Sequence, residues 1–122
     1  MTTAARTMQK KSLDAPDEVA HYGRITKEFV TLQGLEAHRV TFNPGARWST
    51  DLKPVAGTAS CELPHVAYVL AGRLHVVMDD GTEEEFAAGD VMMLPPGHDA
   101  WTVGEEACVF VELTAGTSYY AG

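Results

Sequence analysis

Three side chains in this 122-residue chain offer donors that a metal ion takes readily: Cys61, His65 and His98. A thiolate and two imidazoles form a borderline-soft set, suited to Zn²⁺ or Fe²⁺ and able to accept Cu or Ni. Three protein ligands leave a coordination position open, as a catalytic or ligand-sensing centre requires. Glu62 and Asp99 adjoin these residues in the chain. Either could accept an imidazole N–H or act as a general base. The spacing sets a condition. Cys61 and His65 have the same strand parity, but four residues of straight strand would hold them about 13 Å apart. They meet at one ion only if the chain bends, and Glu62-Leu63-Pro64 can supply the bend, since Pro64 disfavours a continued ladder.

The elements around these residues read as short strands. RITKEFVTL, LEAHRVTF, HVAYVLA, RLHVVMD, EEEFAA and VMML are separated by turns at Asn43-Pro44-Gly45, Ala71-Gly72, Asp80-Gly81, Gly89-Asp90 and Pro95-Pro96-Gly97. Two closing strands follow around Trp101–Val103 and Cys108–Leu113. Many short strands with regular turns and almost no helix indicate an all-β sandwich or barrel. If Ala71-Gly72 is a two-residue hairpin loop, Val69 faces Leu74 and Leu70 faces Arg73. Period two then lines His65, Ala67, Val69, Leu74, Val76 and Met78 along one face and sends His75 to the other. His38 reads as a satisfied strand histidine, and Cys108, inside ACVFVEL, as core. Residues 1–12 read as a flexible tail and 13–122 as one domain, with Asp14-Ala-Pro-Asp-Glu suited to a short N-terminal helical turn.

Composition narrows the partners. A net charge of −8 without a basic stripe excludes the phosphate neutralisation that nucleic-acid binding needs. The longest apolar run, VAYVLAG, is far short of the ~20 residues of a spanning helix, so no membrane is expected. MTTAARTMQKK carries no apolar signal segment, so the cytoplasm is the expected location and Cys61 and Cys108 are expected as reduced thiols. Val66, Tyr68, Leu70 and Val77 share the outward parity of His75, an apolar patch that points to a homodimer.

The segment PHVAYVLAGRLHVVMDDG…AAGDVMMLPPG resembles the cupins, small β-barrels of the jelly-roll type. Gly89, Pro95 and Gly97 have the spacing of the family's second motif, and Tyr68-Val69-Leu70 approaches Gly72 as its first motif does. The resemblance covers roughly Phe42 to Leu113 and implies the fold, whereas the superfold itself hosts many functions. Cupins typically hold a metal on two His spaced by one, a Glu about four later, and a His after the second motif. Here the corresponding positions are Ala59, Cys61, His65 and Ala100, with His98 two residues before the last. The resemblance therefore implies a Cys61–His65–His98 centre in place of the usual set. Two functional classes follow. One is a metal-dependent enzyme acting on a small organic molecule in the barrel cavity. The other is a non-catalytic small-molecule-binding or sensor cupin without a functional metal.

Overall fold

The computed structural model describes residues 7–61 and 65–115, in which nine strands and two short helices are found. The strands are β1 (Glu18–Tyr22), β2 (Ile25–Leu32), β3 (Leu35–Phe42), β4 (His65–Ala71), β5 (Arg73–Met78), β6 (Glu83–Ala87), β7 (Val91–Leu94), β8 (His98–Thr102) and β9 (Cys108–Ala115). Helices α1 (Trp48–Asp51) and α2 (Lys53–Ala56) lie between β3 and β4. One sheet has the order β1-β2-β3-β9-β4-β7 and the other β6-β5-β8. All the named strand pairs are antiparallel. This is a jelly-roll arrangement, and the two sheets wall a common interior.

Alternation explains the interior. Ala67, Val69, Leu74 and Val76 are all buried in one core cluster with Ile25, Phe42 and Phe110. Each buried Val or Leu contributes roughly 1.5–3 kcal/mol relative to exposure. The hairpin expected at Ala71-Gly72 does not form, because β4 and β5 belong to different sheets. Val69 pairs with Phe110 and Leu74 with Thr102 and Phe86. Gly72 makes the crossing possible: its φ is 74°, and a Cβ there would run into the Ala107 carbonyl. The faces survive this change of partners because both sheets look onto the same core. His75 accordingly lies outside it, stacked on Trp101 at 4.7 Å and 2.7 Å from Glu83.

Asp14–Glu18 does not continue as a helix. The Ala15 N–H donates to the Ser12 carbonyl to close a single turn. The Asp17 N–H then donates to Phe29, and the Asp17 carboxylate accepts the Thr31 N–H, which draws the chain into the sheet as β1. Gln9 and Gln33 are joined by two hydrogen bonds, and Lys11 pairs with Asp17. Arg39 fastens the same segment to the outer face. Its guanidinium donates to Glu28, to Asp14 and to the Leu13 carbonyl, contacts that hold its pKa above the usual value.

Candidate metal centre

The Pro95-Pro96-Gly97 turn and the strand-like segment at Cys61 build the centre from opposite sides. Cys61 and His98 face each other across an isolated antiparallel bridge. The Cys61 N–H donates to the His98 carbonyl at 2.8 Å, and the Gly97 N–H donates back to the Cys61 carbonyl at 2.7 Å. Gly97 adopts a φ of 93°, with the Asp79 carboxylate against the place where a Cβ would sit. That carboxylate also accepts the Ser60 hydroxyl, so the turn and the approach to Cys61 are tied together. His65 enters from the first residue of β4, next to Leu94 of β7.

The three donor atoms lie within 4.8 Å of one another. Cys61 and His98 are buried and His65 is half-buried. The Cys61 Sγ and His65 Nε2 are 3.5 Å apart. The two imidazoles meet edge to face with centroids 5.3 Å apart. Donors on one tetrahedral ion at ~2.0–2.3 Å stand roughly 3.3–3.6 Å from each other. The Cys61–His65 separation already has that value, and the His98 donor stands within 4.8 Å of both. The residues present therefore fit a borderline-soft metal.

The ring nitrogens are oriented for the purpose. The His98 Nδ1–H donates to the Pro95 carbonyl at 2.9 Å, which leaves Nε2 as the lone-pair donor. The His65 Nδ1 lies 2.6 Å from the Glu112 carboxylate, which does the same for that ring. Glu112 is buried on β9 at 8% exposure. Burial disfavours a charge on His65, but hydrogen bonds and attraction to Cys61 and Glu112 outweigh it, and its pKa is raised to about 9.

Glu112 was not among the acids singled out from the sequence. In CVFVEL it shares parity with Cys108 and Phe110, so an acid on the core-facing register of a strand was the available signal. Asp99 occupies the register between His98 and Ala100, which line the cavity, and is itself absent from that lining. One of its carboxylate oxygens accepts the Ser49 N–H, and the other accepts the Ser49 hydroxyl and the Arg47 Nε–H. It thereby anchors α1. Glu62 lies outside the described residues.

The centre opens onto a cavity of about 300 Å³. Phe42, Leu94 and Phe110 supply apolar wall from the strands, and Trp48 and Leu52 close it from the helical segment. The Asp99 anchor and the Asp51 carboxylate, which accepts the Arg47 N–H, hold that segment in place. Trp101 is outside, between the Arg47 guanidinium at 4.3 Å and His75. Tyr68 is also turned outward. His38 bonds to Glu36 and stacks on Phe29, as a satisfied histidine does.

A two-sheet jelly roll with donors converging on its central cavity defines a cupin. The family model for the EutQ-like cupin domain matches residues 51–111, and the chain belongs to that family. No curated protein sequence matches it. Among solved structures, a cupin 2 conserved barrel domain protein from Salinispora arenicola CNS-205 is 18% identical, with a TM-score of 0.65 and 95% of each chain covered. KdgF from Halomonas sp. is 22% identical, with a TM-score of 0.57, 80% of this chain and 86% of that one. An oxalate decarboxylase from Lactobacillus farciminis is 19% identical with a TM-score of 0.59, covering 79% of this chain, which spans only 30% of that protein. At these identities the likeness establishes the fold alone. Among the described residues no helix is long and apolar enough to cross a membrane.

Proposed function

We propose that this chain is a metal-dependent enzyme that holds one divalent transition metal, zinc or iron, on Cys61, His65 and His98 and acts on a small organic molecule in the barrel cavity. The observation that carries the reading is the convergence of three donors within 4.8 Å at the wall of an apolar cavity. A bound ion supplies Lewis-acid polarisation and an acidified water at the open position. The protein's own residues do the rest. Glu112 and the Pro95 carbonyl fix the imidazole tautomers, while the apolar wall excludes water and orients the organic body. Glu62, next to Cys61 in the chain, is our candidate general base, and Asp99 we assign to holding α1.

A second reading has one observation in its favour. Cys61, His65 and Glu112 form a continuous thiol–imidazole–carboxylate chain, with links of 3.5 and 2.6 Å. That is the arrangement of a nucleophilic thiol and its oriented base. Elemental analysis of protein purified without added metal separates the readings. The expected result is close to one metal per chain in the wild type, His38→Ala and His75→Ala, and little in Cys61→Ser, His65→Ala and His98→Ala. Stoichiometric metal in both Cys61→Ser and His65→Ala refutes the centre. A metal-free wild type whose Cys61 is rapidly alkylated favours the nucleophile, and a metal-free, unreactive one leaves only non-catalytic small-molecule binding.

We also propose that two copies pair across the outer face of β4, β7 and β9. Val66, Tyr68, Leu70, Val91, Met93 and Leu113 are exposed there, and β7 is the edge of its sheet. A second copy can cover the apolar face and extend the free edge together. Thiols at Cys61 and Cys108 are consistent with a cytoplasmic location.

A further inference from the structure

The cavity has a second polar pole, on β2. Ile25, Lys27 and Phe29 share one strand face, and Ile25 is fully buried in the core, so Lys27 is turned inward with it. Lys27 lies across from Val40, is half-buried and lines the same cavity as His65 and His98. No carboxylate of the described residues forms an ion pair with it, and its ammonium lies 6.0 Å from the centre of the Tyr22 ring. The acid of the lining, Glu112, is engaged by His65 at 2.6 Å. Among the described residues Lys11, Arg39, Arg47 and Arg73 have acidic partners, and the other cations without one, Lys10, Arg24 and Lys53, are exposed to solvent, whereas Lys27 is half-buried. A cation left without an acid against an apolar cavity is a site for an anion that the protein does not itself supply.

Position defines the ligand further. In the sheet order β2-β3-β9-β4, Lys27 and His65 are three strands apart, about 14 Å across the strands, and because Lys27 is in register with Val40, Phe110 and Val69, His65 is displaced by four further residues, about 13 Å along them. The lysine stem shortens that gap, and Phe42, Phe110 and Val40 line the space between. We propose that Lys27 holds the carboxylate of the cavity's ligand, so that the site takes an amphipathic organic monoacid with its anion at β2 and its apolar body directed toward Cys61, His65 and His98. This deepens the reading of the cavity as the functional site and rests on it. Acids as small as acetate cannot engage the ammonium and the apolar wall at once and should bind poorly.

The test compares an acid with its neutral isostere. Binding of 3-phenylpropanoate, 3-phenylpropanamide and acetate is measured calorimetrically on the full chain as purified and after treatment with a chelator. The acid should bind ten- to a hundredfold more tightly than the amide in both preparations, the weight of one charge-assisted hydrogen bond. Lys27→Met should lower acid affinity to that of the amide, leave the amide unchanged and retain the wild-type metal content. Lys27→Gln serves in the same way if Lys27→Met does not fold. An acid preference that persists without Lys27 overturns the proposal, since the anion then sits elsewhere, as does the absence of binding by either aromatic probe. A metal-free wild type that keeps a Lys27-dependent acid preference supports this proposal while removing the metal reading.

Discussion

Replacing Glu112 with Gln keeps the size of the side chain and an oxygen that can accept a hydrogen bond, but removes its negative charge. In the structure that charge lies 2.6 Å from His65 Nδ1, with only 14% and 10% of the two side chains exposed, so solvent screens it little. Loss of such an outer partner to a metal-bound imidazole lowers affinity about 10–100-fold, or about 1.4–2.7 kcal/mol. The measurement is competition against a chromophoric chelator at fixed pH, with circular dichroism as the check on folding. Without metal, His65 has its pKa raised to about 9 from 6.5. The raised value means that its stabilising pairing is complete below pH 6.5 and is lost as pH rises through about 9. Metal competes with that proton, so affinity in the wild type should rise with pH across the same window. Glu112→Gln should narrow the window, because one cause of the raised pKa is gone. Metal affinity within twofold of wild type in a folded Glu112→Gln protein would refute the argument that Glu112 tunes the centre.

Gly72→Ala should destabilise the chain by at least about 2 kcal/mol, because a left-handed backbone and the Ala107 carbonyl both oppose a Cβ; an unchanged denaturation midpoint would count against the crossing as described. Intact mass without reductant should show both thiols free of a mutual disulfide. Cys108, fully buried and with its pKa raised by burial to about 11, should resist alkylation at pH 8 in the native state, and modification there at the rate of a model thiol would contradict its packing. Sedimentation should report a dimer at micromolar concentration, and Met93→Asp, placing a charge on a residue 76% exposed in the apolar face, should shift it toward monomer without loss of metal. A wild type that sediments cleanly as a monomer ends the pairing proposal.

How much of this was legible in the sequence follows from the range of each interaction. Alternation along a strand is local, so the inward set Ala67, Val69, Leu74 and Val76 and the outward placement of His75 could be read directly. The glycine and proline spacing that resembles the cupins likewise resides in turns, whose backbone requirements are written in a few adjacent residues. Partnership between strands is not local. Nothing in HVAYVLAGRLHVVMD states that Gly72 carries the chain from one sheet to the other instead of closing a hairpin. That depends on β9, more than thirty residues later in the chain, lying between β3 and β4. The same insertion brings Glu112 to His65 and sets the acid among the cavity residues, whereas Asp99, a carboxylate adjacent to a candidate ligand, is carried by one step of strand parity to Ser49 and Arg47. Lys27 is another product of the assembled sheets. Its parity with Ile25 is visible in RITKEFVTL, but only the assembled sheets place it in the same cavity lining as Cys61, His65 and His98. Residue types and period two decide which side chains can face inward. Which of them meet is decided by strand order, because contacts between distant segments form only when both sheets have assembled.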